Sequence, residues 1–280
     1  MANNDREFHF TDKDFESVCK LIYSHAGIAL NASKKDMVYS RLARRLRATG
    51  RSTFRDYLQL LESNDETEWQ AFTNALTTNL TSFFREQHHF PILAEHVRKL
   101  KANRPINLWC SASSTGEEAY SMAMTMVEVF NTYTPPVQII ATDLDTNVLE
   151  KAEAGVYAME RLEKMSPEKI KNFFLKGSGK QEGFAHIRPE LRNMVTFRQI
   201  NLLDNNWSLR PPFDAIFCRN VMIYFDKQTQ HQILSKFVPL LRPEGLLFAG
   251  HSESFHHAAD LFKLIGNTVY QVADKNMAFK

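Results

Sequence analysis

PINLWCSASSTGEEAYSMAMTMVEVFNTYTPPVQIIATDLD, residues 105–145, decides the fold of this 280-residue chain. The runs INLWCSA and VQIIATDLD read as short buried strands, and the helical stretch GEEAYSMAMTMVEVF separates them. Further strand-like runs alternate with helical ones toward the end of the chain, among them VTFRQINLL, FDAIFCRN and GLLFAGHSES. This alternation predicts an α/β fold, a parallel sheet with helices on both faces, in which ligands bind beyond the carboxyl ends of the strands.

Upstream of residue 105 the pattern is helical. Apolar residues recur at helical spacing from Phe15 to Ile22, after a candidate cap at Thr11. Gly27 and Gly50 stand at positions where helices would end. A small all-α amino-terminal domain is therefore expected.

One stretch interrupts the alternation. GSGKQEGFAHIRPELRNMVTF has glycine-rich turns and short β-like runs where another helix is expected, which indicates an inserted antiparallel β-subdomain at about residues 176–197. The predicted domains are a helical domain over 1–80, an interdomain segment over 81–104 and an α/β domain over 105–280.

Bulk properties exclude several classes. The 34 basic and 32 acidic side chains give a net charge of +2, which provides no global attraction to nucleic acid. No apolar run approaches the ~18 residues of a membrane helix, and the first residues lack the layout of a signal peptide, so we expect a cytoplasmic protein without membrane insertion. The three cysteines form no C-x-x-C pair, so neither a disulfide framework nor a metal site is expected.

The ends of four predicted strands carry residues suited to a nucleoside. The turn around Gly116 is small enough for backbone amides to approach a ligand, and Asp143 could accept hydrogen bonds from both ribose hydroxyls. The pairs Asn201–Leu202 and Arg219–Asn220 could read the edge and face of an adenine. Each feature has an ordinary alternative, namely a tight turn, a helix cap or a turn-forming asparagine, and Asp145 is expected to be such a cap. Their convergence favours an adenosyl ligand.

Six segments then resemble, in order, the signatures of the bacterial chemotaxis receptor glutamate methyltransferases, the CheR family. They are TNLTSFFRE at 78–86, STGEE at 114–118, TDLD at 142–145, NLL at 201–203, FDAIFCRNVMIYFD at 213–226 and LLFAGHSE at 246–253. The resemblance implies a class I S-adenosylmethionine-dependent methyltransferase domain (Rossmann-like) behind the helical domain. The implied cofactor contacts are Asn79, Thr81, Arg85, Glu118, Asp143, Asn201, Leu202, Arg219 and Asn220, with Glu117 an alternative to Glu118. Ala119 and Cys110 depart from the usual family pattern.

The implied reaction needs no general base. The methyl group of S-adenosylmethionine is already activated, and a glutamate with a pKa near ~4.3 is already ionised at neutral pH. Catalysis then depends on aligning the carboxylate with the methyl group. Arg85 and Tyr224 are the candidates for this task, Arg85 as a partial neutraliser and Tyr224 beside the sulfonium. The alternative for Tyr224 is core packing.

Two surfaces could bind a receptor. Arg41, Arg44 and Arg45 share a helical face in KKDMVYSRLARRLRATG, which the resemblance implies as the docking surface for an acidic helical bundle. The alternative is a solvated face. The GSGKQEG region resembles an insertion that pairs with a receptor's carboxyl-terminal tether peptide. The enzyme is expected to be a monomer, and the pairs His88–His89 and His256–His257 are expected at the surface.

Two other functions compete with this interpretation. A nucleic-acid methyltransferase would share the fold, but the Asp-Pro-Pro-Tyr-like motif of adenine amino-methylating enzymes is missing after the fourth strand. A non-catalytic binding module is disfavoured by the retention of Arg85, Asp143, Asn220 and Tyr224.

Overall fold

The computed structural model describes residues 6–63, 65–100 and 104–278. Parts of the predicted domains, namely residues 1–5, 64, 101–103 and 279–280, lie outside the described residues. The α-helices are α1 (Asp12–Ala26), α2 (Lys35–Thr49), α3 (Phe54–Glu62), α4 (Glu66–Leu76), α5 (His89–Leu100), α6 (Glu117–Phe130), α7 (Thr146–Ala154), α8 (Pro167–Phe173), α9 (Pro189–Arg192) and α10 (Lys227–Phe237). The strands are β1 (Ile106–Cys110), β2 (Val137–Asp143), β3 (Val156–Ala158), β4 (Phe174–Lys176), β5 (Phe184–Ile187), β6 (Val195–Gln199), β7 (Phe213–Cys218), β8 (Leu241–Ala249), β9 (Phe262–Gly266) and β10 (Val269–Val272).

Helices α1 to α4 form the amino-terminal part, as the apolar spacing predicts. Thr11 and Asp14 make a capping box at the start of α1, and Gly27 ends that helix with a left-handed φ of 68°. The buried faces of the four helices meet in one core that includes Val18, Leu42 and Tyr57. The prediction of an all-α amino-terminal domain is confirmed.

The main sheet has seven strands in the order β6-β2-β1-β7-β8-β10-β9. The first five are parallel, and β10 turns antiparallel against β8 and β9. All six residues of β7 are buried because apolar clusters cover both faces of the sheet, one including α5 and α6 and the other including α10. The predicted α/β class is confirmed. The strand order reverses at β1, which places a crevice at the carboxyl ends of β1, β2 and β7.

The small antiparallel sheet has the order β3-β5-β4, and its extent differs from the prediction. The glycine-rich turn does join β4 to β5 as expected. However, β3 precedes the predicted range of 176–197, and β6, which lies at its end, pairs in parallel with β2 in the main sheet. Only one of the five residues of β6 is buried, because it is the edge strand, so its sequence resembles that of a hairpin. The domain boundaries at residues 80 and 104 stay predictions.

Hydrogen bonds join the helical part to the turns at the ends of the parallel strands. The amide of Ala29 donates to the carbonyl oxygen of Tyr224 at 2.9 Å, and Asn201 Nδ2 donates to the carbonyl oxygen of His25 at 2.9 Å. The helical part therefore covers the crevice. Within the described ranges, no helix combines the length and the apolar character needed to cross a bilayer.

Candidate active site

A cavity of about 400 Å³ lies between the helical part and the carboxyl ends of the parallel strands. This volume falls in the range of small-molecule sites. All ten residues predicted to bind cofactor or to position substrate line this cavity: Asn79, Thr81, Arg85, Glu118, Asp143, Asn201, Leu202, Arg219, Asn220 and Tyr224. The structure thus brings together residues that are up to 145 positions apart, from Asn79 to Tyr224.

The turn after β1 brings backbone close to the cavity. Ser114 has a φ of 48° and Gly116 a φ of 93°, both in the left-handed region. A Cβ on Gly116 would lie 2.9 Å from the Cβ of Ala152, so only glycine fits this approach of the turn to α7. The small turn predicted from the sequence owes its shape to packing against that helix.

Asp143 ends β2 with its carboxylate beside this turn. The carboxylate accepts hydrogen bonds from the amide of Ser114 at 2.8 Å and from the amide of Asp145 at 3.0 Å. Burial raises the pKa of Asp143 to about 6, although both amides favour the charged form. Each oxygen keeps accepting capacity for a hydroxyl group in the cavity.

Asp145 is the helix cap that the sequence predicts. Its side chain accepts from the amide of Asn147 at the start of α7. It also accepts from the Thr77 hydroxyl at 2.8 Å and from Asn79 Nδ2 at 2.7 Å. One carboxylate therefore fixes both a helix of the sheet domain and the segment that carries Asn79.

The structure distinguishes the two glutamates at the start of α6. Glu117 is fully buried, accepts a hydrogen bond from the Thr115 hydroxyl and pairs with Arg161. Glu118 lines the cavity, where it lies 3.0 Å from Arg219 and 3.2 Å from the Cys110 sulfur. Burial raises the pKa of Glu118, and Arg219 opposes that effect. Glu118 is thus the glutamate that can meet a ligand, and Cys110 supports it.

The two arginines of the cavity differ in their freedom. Arg219 has a fully buried side chain that contacts Glu86, Glu118 and the backbone carbonyl of Arg85. Its charge is therefore balanced by groups of the protein. Arg85 is half-buried, and among the described residues its side chain makes one hydrogen bond, from Nη1 to the carbonyl oxygen of Leu80 at 2.8 Å. Most of its donors remain available to a ligand.

Asn201 and Tyr224 connect the two parts of the molecule. The Asn201 side chain donates to the carbonyl oxygen of His25 and accepts from the amide of Leu203 at 3.0 Å. Its amide group is thus already engaged, and the buried Leu202 beside it supplies apolar surface. Tyr224 is half-buried in the cavity wall rather than enclosed in the core.

Sequence reasoning missed the wall that the helical part contributes. Residues 26 and 28–31, together with Lys34 and Met37, line the cavity; only Lys34 and Met37 fall in a segment singled out from the sequence, the basic stretch KKDMVYSRLARRLRATG, and neither was assigned to the site. It also assigned no role to Glu253, whose buried carboxylate accepts from the amides of Asn220 at 2.9 Å and Met222 at 2.8 Å. The segment GHSE could have indicated this role, because a glutamate that follows an apolar strand needs hydrogen-bond donors when it is buried.

The predicted basic face is only partly free. Arg45 forms a two-pronged pair with the buried Glu68, and Arg41 donates to the carbonyl oxygens of Ala75 and Thr77. Arg44 is exposed, and the described residues give it no ion pair. Two of the three arginines predicted to dock a receptor therefore hold α2 against α4, and the docking role of the three stays a prediction.

One residue of the two histidine pairs differs from the prediction, whereas His88 and His256 are exposed as expected. His89 is fully buried, where its Nε2 contacts the carbonyl oxygen of Asn267 at 2.8 Å and its ring packs edge-on against Phe248. Burial lowers the pKa of His89 to about 4, so it is neutral at physiological pH. The expectation that this residue lies at the surface is wrong. Among the described residues, no group of three or more potential ligands could hold a metal ion.

Comparisons with known proteins bear on this geometry. The family description "CheR methyltransferase, SAM binding domain" matches residues 79–271, and "CheR methyltransferase, all-alpha domain" matches residues 13–77. The chain is 53% identical over 270 residues to chemotaxis protein methyltransferase 2 of Pseudomonas aeruginosa, with 96% of each protein covered. It is 52% identical over 264 residues to the chemotaxis protein methyltransferase of Escherichia coli, covering 94% of this chain and 92% of that protein.

The chain belongs to the CheR family. The predicted resemblance and the S-adenosylmethionine cofactor are confirmed by these matches. As a CheR protein, it is an S-adenosylmethionine-dependent methyltransferase of chemoreceptor glutamates in chemotaxis.

Proposed function

We propose that the interdomain cavity is where this CheR chain transfers methyl groups to glutamate side chains, with Arg85 and Tyr224 positioning the reacting groups. The observation that carries the proposal is the meeting of Arg85, Asp143 and Tyr224 in a cavity that both parts of the molecule line. The enclosing wall contributed by the helical part excludes water from one side of the cavity, which strengthens electrostatic interactions inside it.

The residues present fit the cofactor. S-adenosylmethionine carries a positive sulfonium and supplies the activated methyl group when bound. The buried carboxylate of Glu118 and the half-buried carboxylate of Asp143 line the cavity, and the small turn of residues 113–116 lets backbone approach a ligand. Asp143 would hold the ribose hydroxyls, and Leu202 would contact the adenine.

Arg85 would bring the substrate carboxylate into line. Its guanidinium can neutralise part of the carboxylate charge as the glutamate enters, and its remaining donors can fix the orientation of that group. Tyr224 would present its ring to the positive end of the cofactor. Neither residue has to move a proton, because the substrate is already ionised at neutral pH.

The mouth of the cavity suits a helix that carries small or apolar residues beside its glutamate. Leu80 is 76% exposed and Ile223 is 52% exposed, and both line the cavity. Exposed apolar side chains at a binding site commonly meet a partner. Beyond the mouth, Arg44 would attract the acidic receptor bundle.

The proposal extends to the tether peptide, the oligomeric state and the cellular location of the enzyme. The receptor's carboxyl-terminal tether peptide would pair with an edge of the small sheet, on β3 or β4. The enzyme would act as a monomer. It would work in the cytoplasm, where the receptor glutamates lie.

The test is methyl transfer by the Arg85→Ala variant. We expect kcat to fall by roughly 10²-fold, the loss associated with a misplaced reacting group, while the melting temperature changes little because the Arg85 side chain makes a single hydrogen bond to the described residues. Radiolabelled methyl incorporation into purified receptor measures kcat. A parental kcat in the purified variant would remove Arg85 from the reaction.

A further inference from the structure

The backbone on both sides of Arg85 is unusual. Phe84 has a φ of 52° and Glu86 has a φ of 53°, and neither is glycine. Side-chain-bearing residues in this left-handed region each cost roughly 1–3 kcal/mol and persist only where surrounding contacts impose them. The segment that presents Arg85 is therefore held in place by something outside itself.

Contacts of the Arg85 neighbours supply that restraint. The amide of Phe84 donates to the hydroxyl of Ser121 at 2.9 Å, and Arg219 Nη2 donates to the carbonyl oxygen of Arg85 at 2.5 Å. The carbonyl group of Arg85 is thus hydrogen-bonded directly, and so is the amide of the residue before it, Phe84. Ser121 lies on α6, and Arg219 follows β7, so two elements of the sheet domain fix the segment.

The side chain of Glu86 makes further contacts that restrain this segment. Its carboxylate accepts from Asn220 Nδ2 at 3.2 Å and from the amide of His251 at 3.1 Å, and it lies 3.2 Å from Arg219 Nη2. The Glu86 side chain is 13% exposed and does not line the cavity. It therefore touches neither cofactor nor substrate, yet it holds the guanidinium that in turn holds the Arg85 carbonyl.

We propose that Glu86 is a positioning residue for methyl transfer: its carboxylate orients Arg219, and the pair locks the backbone that aims the Arg85 side chain into the cavity. The inference rests on the proposed role of Arg85. It adds a residue whose effect on kcat runs through Arg85, so its removal should lower kcat mainly while Arg85 is present; its hydrogen bond to Asn220 reaches the cofactor side of the cavity separately. Glu118, the other carboxylate beside Arg219, pairs with its Nη1 and itself lines the cavity.

The test is a double-mutant cycle on kcat with Glu86→Gln and Arg85→Ala. Glutamine keeps the size of the side chain and one acceptor, and removes the charge that holds Arg219. Alone, Glu86→Gln should lower kcat by about 10- to 100-fold, since a displacement near 1 Å at a reacting group costs up to ~10²-fold. In the Arg85→Ala background, the same change should lower kcat by less than about twofold, because the two residues act as a unit.

Binding of S-adenosylhomocysteine, measured by calorimetry, is the readout apart from activity. Its Kd should rise by no more than about tenfold in Glu86→Gln, since Glu86 lies outside the cavity wall and reaches the ligand only through Asn220 and Arg219, and the rise should be the same with and without Arg85. Glu95→Gln is the matched control, since Glu95 is an exposed carboxylate on α5 that pairs with Lys99. Its kcat should equal the parental value.

The outcomes separate the two proposals. A parental kcat in Arg85→Ala would overturn the role of Arg85 and the inference with it. An impaired Arg85→Ala with a parental Glu86→Gln, or an equal loss from Glu86→Gln in both backgrounds, would overturn the inference alone. Should Glu86→Gln fail to fold, Glu86→Asp withdraws the carboxylate by one methylene group while keeping its charge, and the same cycle decides with that variant.

Discussion

At the scale of single residues, burial sets the charge of the cavity. Asp143 illustrates this, because its carboxylate is ionised at neutral pH but titrates near a pKa of about 6. A raised pKa in a carboxyl group means that the charged form is held at some cost in the absence of a ligand. Ligand hydroxyls that donate to the carboxylate would offset that cost.

We therefore predict that S-adenosylhomocysteine binds more weakly as the pH falls through 6. Below its pKa, Asp143 is protonated and loses an acceptor site, so affinity should drop by about tenfold, the size of one hydrogen bond to a charged group. Calorimetric titrations between pH 5 and 8 would measure this profile. Asp143→Asn should bind weakly with no change near pH 6. If Asp143→Asn still loses affinity as the pH falls through 6, the titrating group is another one, such as Glu118.

Arg45 shows how a residue chosen as a docking contact can serve the fold instead. Its guanidinium pairs with Glu68, which is 5% exposed and also accepts a hydrogen bond from the Tyr57 hydroxyl at 2.7 Å. Replacing Arg45 leaves this carboxylate buried without its cation.

Arg45→Ala should accordingly lower the free energy of unfolding by roughly 2–4 kcal/mol, the range for an unpaired buried charge. Arg44→Ala, one position earlier on the same helix, should change it by less than about 0.5 kcal/mol. Urea denaturation followed by circular dichroism measures both. Adding Glu68→Gln should recover part of the loss, and equal stability of the two arginine variants would contradict the structural role.

At the scale of elements, the sequence predicts those whose surroundings are encoded locally. Five of the six residues of β7 are apolar and the strand is buried on both faces, and α1 has a capping residue before it and a glycine after it, so both elements could be predicted. β3 could not, because three residues carry no periodicity. β6 was assigned to the hairpin because an edge strand with one buried residue resembles a surface ribbon.

The same limit applies to the site. Residues at strand ends, such as Asp143, are predictable because parallel strands end at one edge of the sheet. The wall that contains Lys34 and Met37 depends on how the helical part packs onto that edge, which no local pattern records.

The turn of the small sheet offers a test of the proposed tether. A Cβ on Gly177 would lie 2.1 Å from the carbonyl oxygen of Gln181, so any side chain must open the turn between β4 and β5. Gly177→Val should weaken binding of a receptor carboxyl-terminal peptide by at least about tenfold, or ~1.4 kcal/mol, because edge-strand pairing needs an ordered strand. The affinity for S-adenosylhomocysteine should stay parental. Fluorescence anisotropy of a labelled peptide measures the first and calorimetry the second, with exposed Lys180→Ala as the control. Parental peptide affinity in Gly177→Val would exclude the β4 edge and leave β3 or a site outside the small sheet.

At the scale of the whole molecule, two parts with separate cores enclose one cavity. Hydrogen bonds from Ala29 to Tyr224 and from Asn201 to His25 join them at the ends of the strands. The net charge of +2 is too small to guide an acidic receptor, so attraction must come from where the positive charges lie. Met37 lines the cavity, and Arg44 follows two helical turns later on the same face of α2. This places one free positive charge on a path that leads to the cavity mouth.

Arg44→Ala should therefore raise the KM for receptor by about threefold, since one exposed charge is worth up to ~1 kcal/mol, without changing the affinity for S-adenosylhomocysteine. Arg98→Ala is the control, because it makes the same change in composition and net charge. Arg98 is exposed on α5 and does not line the cavity. The parental enzyme and Arg98→Ala should lose receptor affinity with added salt, whereas Arg44→Ala should lose less, because salt screens the attraction that this variant lacks. The assay requires receptors without a tether peptide, which would otherwise raise the effective concentration of receptor and mask the defect. Equal KM and equal salt dependence in both variants would make Arg44 an ordinary solvated residue and would require the docking surface to lie elsewhere around the mouth.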